Sequence, residues 1–223
     1  MNTSEATALI RTPLIEWAQP QSWCDLGSGS GTFTVALAQL LVPGSTIYAV
    51  DFDQRALEEI PDQHNRVEIR KIVGDLQSSS LRLPSVAGIL MANTLHFIQE
   101  QQIFLKRLRS VADHFLIVEY ERSKPSRWGP YPVGFERLRQ LFTDAGVERV
   151  EKLTTKPSRF GGTICNSCRS ALPIVGFRLG RRPQLFSLRR WASAQASCCN
   201  PGPCHRAAPC RRRPLGPHLF PGK

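Results

Sequence analysis

Short apolar runs, most of them closed by an acid or a glycine, alternate along the chain with stretches of helical period. The runs are Trp23-Cys24-Asp25-Leu26, Thr46–Val50, Val86–Ala92 and Phe115–Val118, with looser alternation over Val67–Val73 and Val147–Thr154. Such runs read as buried strands, with Val67–Val73 edge-like, and Arg159–Ile164 reads as the start of a seventh. Between them the spacing predicts helices. The first covers Ser4–Ala18, capped by Ser4, kinked or split at Pro13, with Leu9, Ile10, Leu14, Ile15 and Trp17 on its apolar side. Others follow over Val35–Leu40, over Gln54–Ile60, and through Phe104, Leu105 and Leu108. The last carries Phe135, Leu138, Leu141 and Phe142 on one face and closes at Gly146. Strands alternating with helices predict an α/β fold.

The first strand runs into Asp25-Leu26-Gly27-Ser28-Gly29-Ser30-Gly31. Glycines at alternate positions let the backbone take positive φ and come close to a ligand. The following helix points its N-terminal amides at this turn. A phosphate-binding loop would need a lysine after the last glycine, and Gly31-Thr32-Phe33 has none. A dinucleotide fingerprint would need its third glycine where Thr32 stands. The pattern present is D-x-G-x-G-x-G, and with it the chain resembles the class I S-adenosylmethionine-dependent methyltransferases from about Leu9 to Ile164.

Further motifs follow in that family's order. Asp51 ends the second strand twenty residues beyond Gly31, where an acid fits a ribose hydroxyl pair. Gly74-Asp75-Leu76 ends the third strand, and Ala92-Asn93-Thr94-Leu95-His96 follows the fourth. The resemblance implies a doubly wound, Rossmann-like sheet of seven mostly parallel strands with an antiparallel last strand. It implies S-adenosyl-L-methionine as cofactor, with Asp25, Gly27, Gly29, Gly31, Asp51, Phe52, Asp75, Leu76 and Asn93 around it. Asp51 would bind the ribose, Phe52 flank the adenine and Asp75 contact it. Carboxylates suit this ligand, which bears an ammonium and a sulfonium and no phosphate. The segment Asn93–His96 is similar to the small-molecule branch and lacks the (N/D)-P-P-(Y/F) of the branch that methylates nucleic-acid amino groups.

His96 is the candidate general base, since histidine titrates near neutral pH. The alternative is that it caps the next helix or packs beside the cofactor. Glu119 and Tyr120 close the fifth strand facing the same crevice, either to orient substrate or, for Glu119, as a structural acid. Trp128 and Tyr131, in the loop Arg122–Gly134, are candidate walls of the acceptor pocket.

Charge changes the picture only once it is located. The chain has a formal charge of +11, which suggests nucleic acid or an anionic surface as partner. Residues 166–223 hold ten arginines, one lysine and no acid, so residues 1–165 keep 18 basic residues against 18 acidic ones. The domain at 1–165 is neutral, and the excess belongs to a basic tail at 166–223, rich in Pro, Cys and Arg. That tail reads as disordered, or as the product of a shifted reading frame near Ile164, since Cys165-Asn166-Ser167-Cys168-Arg169-Ser170 is a poor strand for the middle of a sheet. Cys165 and Cys168 make half of a zinc pattern, but Cys198, Cys199, Cys204, His205 and Cys210 are irregularly spaced, and no metal is expected. With no secretory signal and no long apolar run, the expected setting is cytoplasmic, away from membrane. The expectation is therefore in-line methyl transfer to a small-molecule acceptor, with nucleic acid not the expected partner. The other readings are a cofactor-holding scaffold without turnover, or an enzyme acting on RNA through its tail.

Overall fold

The computed structural model describes residues 1–13, 15, 18–147, 149–157 and 163–167. The readings of the tail beyond Ser167, and Leu14 and Trp17, lie outside the described residues.

Strand β1 (Ser22–Leu26) lies in the middle of the sheet, parallel to β2 (Thr46–Asp51) on one side and β5 (Gly88–Ala92) on the other. β4 (Val67–Val73) adds in parallel beyond β2, and β6 (His114–Tyr120) beyond β5. β7 (Lys152–Pro157) and β8 (Thr163–Ser167) form an antiparallel hairpin, and β8 is the strand that pairs antiparallel with β6. With β3 (Gln63–His64) the order is β3-β4-β2-β1-β5-β6-β8-β7. The order reverses at β1, between β2 and β5, which opens a crevice at the carboxyl ends of these strands.

Three details of the sheet and its flanks differ from the sequence reading, as do two of the first helix. The strand at Val67–Val73 is not the edge, because β3 folds back on it through Asn65 and Arg66, both at positive φ (50° and 62°). Two such residues make the tight hairpin turn whose twist suits paired strands. The strand expected from Val147 begins only at Lys152. Val147 belongs instead to the end of α5 (Phe135–Asp144), where Gly146 N–H donates to Thr143 O and Val147 N–H donates to Phe142 O, each at 2.9 Å. This is a Schellman closure around Gly146 at φ 82°. Finally, the last strand continues past Ile164, with Cys165, Asn166 and Ser167 paired to Glu119, Val118 and Ile117. Ladder bonds are made by backbone groups, so a segment with few apolar side chains can still pair.

Alternation along β1 sends Trp23 to one face and Cys24 and Leu26 to the other. On the Trp23 face lie α1 (Thr3–Ile10) and α2 (Thr32–Ala38), through Leu9, Ile10, Ala36 and Leu37. On the other face lie α4 (Gln101–Leu108) and α5, through Phe104, Leu105, Leu141 and Phe142. α1 is capped by Asn2 rather than Ser4. Glu5 N–H donates to Asn2 Oδ1 at 2.8 Å while Asn2 N–H donates to Glu5 Oε2 at 3.1 Å. It ends at Ile10, short of the expected Ala18, because Pro13 disfavours helix at the residue before it.

Candidate active site

The glycine loop is pinned to the end of β2. Gly27 and Ser28 N–H donate to Val50 O at 2.8 and 3.1 Å, and Gly29 N–H donates to Asp51 Oδ2 at 2.8 Å. Asp51 Oδ1 accepts from Asp53 N–H at 2.9 Å, and Asp53 in turn caps α3 (Gln54–Glu58). Asp51 therefore shapes the loop with one lone pair on each oxygen, and a carboxylate has further sites to accept hydroxyls. Gly27, Gly29 and Gly31 stand at φ 74°, 52° and 86°. A β-carbon on Gly27 would overlap the Thr94 side chain, and one on Gly31 would lie 2.7 Å from Ile60 Cγ1. On Gly29 it would meet nothing within 4 Å, so this backbone is open to close approach.

Asp25 is buried at the end of β1. Its Oδ2 accepts from Thr34 Oγ1 at 2.6 Å, while Oδ1 is buried without a partner. Burial pushes its carboxyl up to about 7; the Thr34 hydrogen bond opposes this and the Asp51 charge adds to it. Ser28 Oγ and Asn93 Oδ1 are likewise buried and unpartnered. Asn93 sits at φ 57° directly after β5. Buried polar atoms ordinarily find partners. Three orphans around one open glycine loop fit a ligand carrying an ammonium and hydroxyls, and among the described residues no cation pairs with Asp25. Phe52 is exposed beside this loop. Asp75 is also exposed, its Oδ1 accepting from Gln77 N–H at 2.9 Å, and Leu76 behind it is buried.

A second group gathers at the ends of β5 and β6. The 3₁₀ turn Leu95–Phe97 buries His96, and Nδ1 of its ring lies 2.6 Å from Glu119 Oε2. Glu119 Oε1 accepts from the Leu95 and His96 amides at 2.8 and 3.3 Å. A carboxylate so used is an acceptor, so Nδ1–H donates to it and Nε2 is left as the basic nitrogen. The cavity beside the ring, about 20 Å³, is lined by Tyr120, Arg122, Trp128 and Gly129 among others. It has room for about one water as it stands. Tyr131 does not line this cavity. Its backbone serves the site, N–H donating to His96 O at 3.0 Å and O accepting from Gln101 Nε2 at 2.9 Å.

The sequence reading thus brings together Asp25, the three glycines, Asp51 and Asn93 in one group, and His96, Tyr120 and Trp128 in another. It missed Thr94, whose hydroxyl donates to Ala92 O at 3.2 Å and whose side chain abuts Gly27, because a threonine in a loop carries no signal. It left Glu119 open between two roles. Among the described residues no group of three or more His, Cys, Asp or Glu is placed to hold a metal, and no helix is long and apolar enough to cross a membrane.

Residues 24–114 match the family model described as a methyltransferase domain. These residues carry a methyltransferase domain of the class I, S-adenosylmethionine-dependent kind. Over 56 residues it is 41% identical to a release factor glutamine methyltransferase from Thermosynechococcus vestitus, a match spanning 25% of this chain and 19% of that enzyme. Among solved structures it is similar to an arsenic(III) S-adenosylmethionine methyltransferase from Chlamydomonas reinhardtii, with TM-score 0.53 and 14% identity over 74% of this chain and 71% of that one. It is also similar to the N-terminal domain of EvdMO1 with SAH bound, with TM-score 0.51 and 17% identity over 76% and 81% of the two chains. At these identities the structures show the fold. The cofactor of the domain is S-adenosylmethionine, and the orphaned oxygens and the open Gly29 backbone suit it.

Proposed function

We propose that the chain transfers the methyl group of S-adenosylmethionine to a nucleophile on a small-molecule acceptor, with His96 as the proton-accepting group. The observation that carries this reading is the buried His96–Glu119 pair opening onto an aromatic-lined cavity. When bound, the cofactor supplies a methyl on a good leaving group, so the protein's part is geometry and water exclusion. Asp25, Ser28 and Asn93 offer acceptors for its ammonium end, and Asp51 for its ribose. The resemblance gives adenine to Asp75 and Phe52, both exposed to receive it. Glu119 holds the imidazole so that Nε2 faces the cavity and takes the proton of the acceptor as its nucleophile attacks. Half-buried Tyr120 covers one side of the ring, while Trp128, which also lines the cavity, is exposed.

The small-molecule acceptor is supported by Asn93-Thr94-Leu95-His96 where amino-methylating enzymes on nucleic acid carry a proline pair. The RNA reading rests on the tail, outside the described residues. Incubation of the full chain with methyl-labelled cofactor and a cell extract tests the proposal. Label should enter the low-mass fraction, and His96→Gln should cut that transfer at least about a hundredfold with cofactor affinity intact. Label in RNA or protein would overturn the acceptor class. Cofactor binding without any transfer would favour the scaffold.

A further inference from the structure

Next to the His96 cavity lies a wider groove of about 490 Å³, and Arg122 and Pro132 line both. Glu121, Glu136 and Arg137 also line the groove, so its charges look balanced. They are not. Glu121 accepts from Phe135 N–H at 2.9 Å with one oxygen and from Lys152 Nζ at 3.2 Å with the other. Glu136 Oε2 accepts from Arg139 Nε and Nη2 at 3.1 and 2.9 Å. Both acids are thus committed to other cations. Arg122 and Arg137 meet no carboxylate among the described residues. Arg122 is half-buried, its guanidinium 5.0 Å from the Tyr120 ring centroid, at the junction between groove and catalytic cavity. Two guanidinium groups lining one groove repel each other and are stabilised by an oxyanion, which each can grip through paired N–H donors.

Resting on the reading of His96 as proton acceptor, we propose that the methyl acceptor is an anion. It carries a carboxylate or a phosphate monoester that binds Arg122 and Arg137 while its nucleophile reaches His96. An anionic acceptor also complements the sulfonium of the cofactor, whereas a cationic one would be repelled by both. Arg122 carries most of the recognition, because Arg137 is exposed and its field is screened by salt.

Calorimetric titration of the full chain, saturated with S-adenosylhomocysteine, decides the matter with three phenols as probes: 4-hydroxyphenylacetate, 4-hydroxyphenyl phosphate and the neutral 4-hydroxyphenylacetamide. At least one anion should bind about tenfold or more tighter than the amide. The tighter of the two anions tells carboxylate from phosphate. The preference should vanish in the Arg122→Gln, Arg137→Gln double variant, whose affinity for S-adenosylhomocysteine should not change. Failure of both anions to bind, equal affinity for the amide, or a preference that survives the double substitution would overturn the proposal. His96→Gln keeps both arginines and should keep the preference. If it does so while methyl transfer is undiminished, the proton-acceptor role falls and the anion site stands.

Discussion

At the residue scale, Gly29 and Gly27 separate binding from folding. Alanine at Gly29 meets no atom but must adopt φ 52°, costing about 1–2 kcal/mol of stability. Its methyl would project where the cofactor approaches, so affinity for S-adenosylhomocysteine should fall about tenfold or more. Alanine at Gly27 collides with Thr94 as well, and should lower the unfolding free energy more than at Gly29. Denaturant unfolding of both variants checks the order, and equal losses would contradict it. Asp25 gives a pH prediction. Its carboxyl titrates near 7 when folded against an ordinary 3.8, so between about pH 4 and 7 the folded state holds the extra proton. Stability should therefore fall as pH rises through that window, and Asp25→Asn should flatten the fall. Unfolding curves at pH 5 and 7.5 measure this; an unchanged slope in the variant would contradict it. Cys24 is fully buried, and burial pushes its thiol up to about 12. In peptide mapping after iodoacetamide at pH 8, it should stay unmodified in the native chain and react once unfolded.

At the scale of elements, the packing of β1 against β5 is a tight point. A β-carbon on Gly88 would come within 2.5 Å of the Trp23 ring, which is fully buried. Gly88→Val should destabilise by about 1–3 kcal/mol, read from denaturant midpoints, and an unchanged midpoint would contradict this. Elements were legible in the sequence where period and punctuation agreed, as in β1, β2, β5 and α5. They were misread where one residue type could serve two purposes. Val147 alternates with its successors like a strand, yet its amide is used to close α5. The turn before β4 was invisible because Arg66 takes a positive φ that glycine would have announced. β8 was cut short because its pairing with β6 is a backbone property that side-chain composition does not display. Of the site, the glycine loop and Asp51 could be found from spacing. The Glu119–His96 contact could not, since 23 residues separate partners that only the adjacency of β5 and β6 brings together.

At the scale of the whole molecule, the fold explains why these motifs converge. Parallel strands place the ends of β1, β2, β4, β5 and β6 along one edge, and reversal of order at β1 leaves the crevice there. The cofactor group sits at the β1, β2 and β5 ends, the His96–Glu119 pair one strand further, and the arginine-lined groove beyond it. The net charge of +11 says little about this edge, because residues 1–165 sum to zero. Ligand identity is the central claim, and thermal unfolding of the full chain with S-adenosylhomocysteine or with NAD tests it most directly. At about a hundredfold excess over its dissociation constant, S-adenosylhomocysteine should add roughly 2.7 kcal/mol and raise the midpoint, while NAD at the same concentration leaves it in place. Stabilisation by NAD and none by S-adenosylhomocysteine would contradict the account.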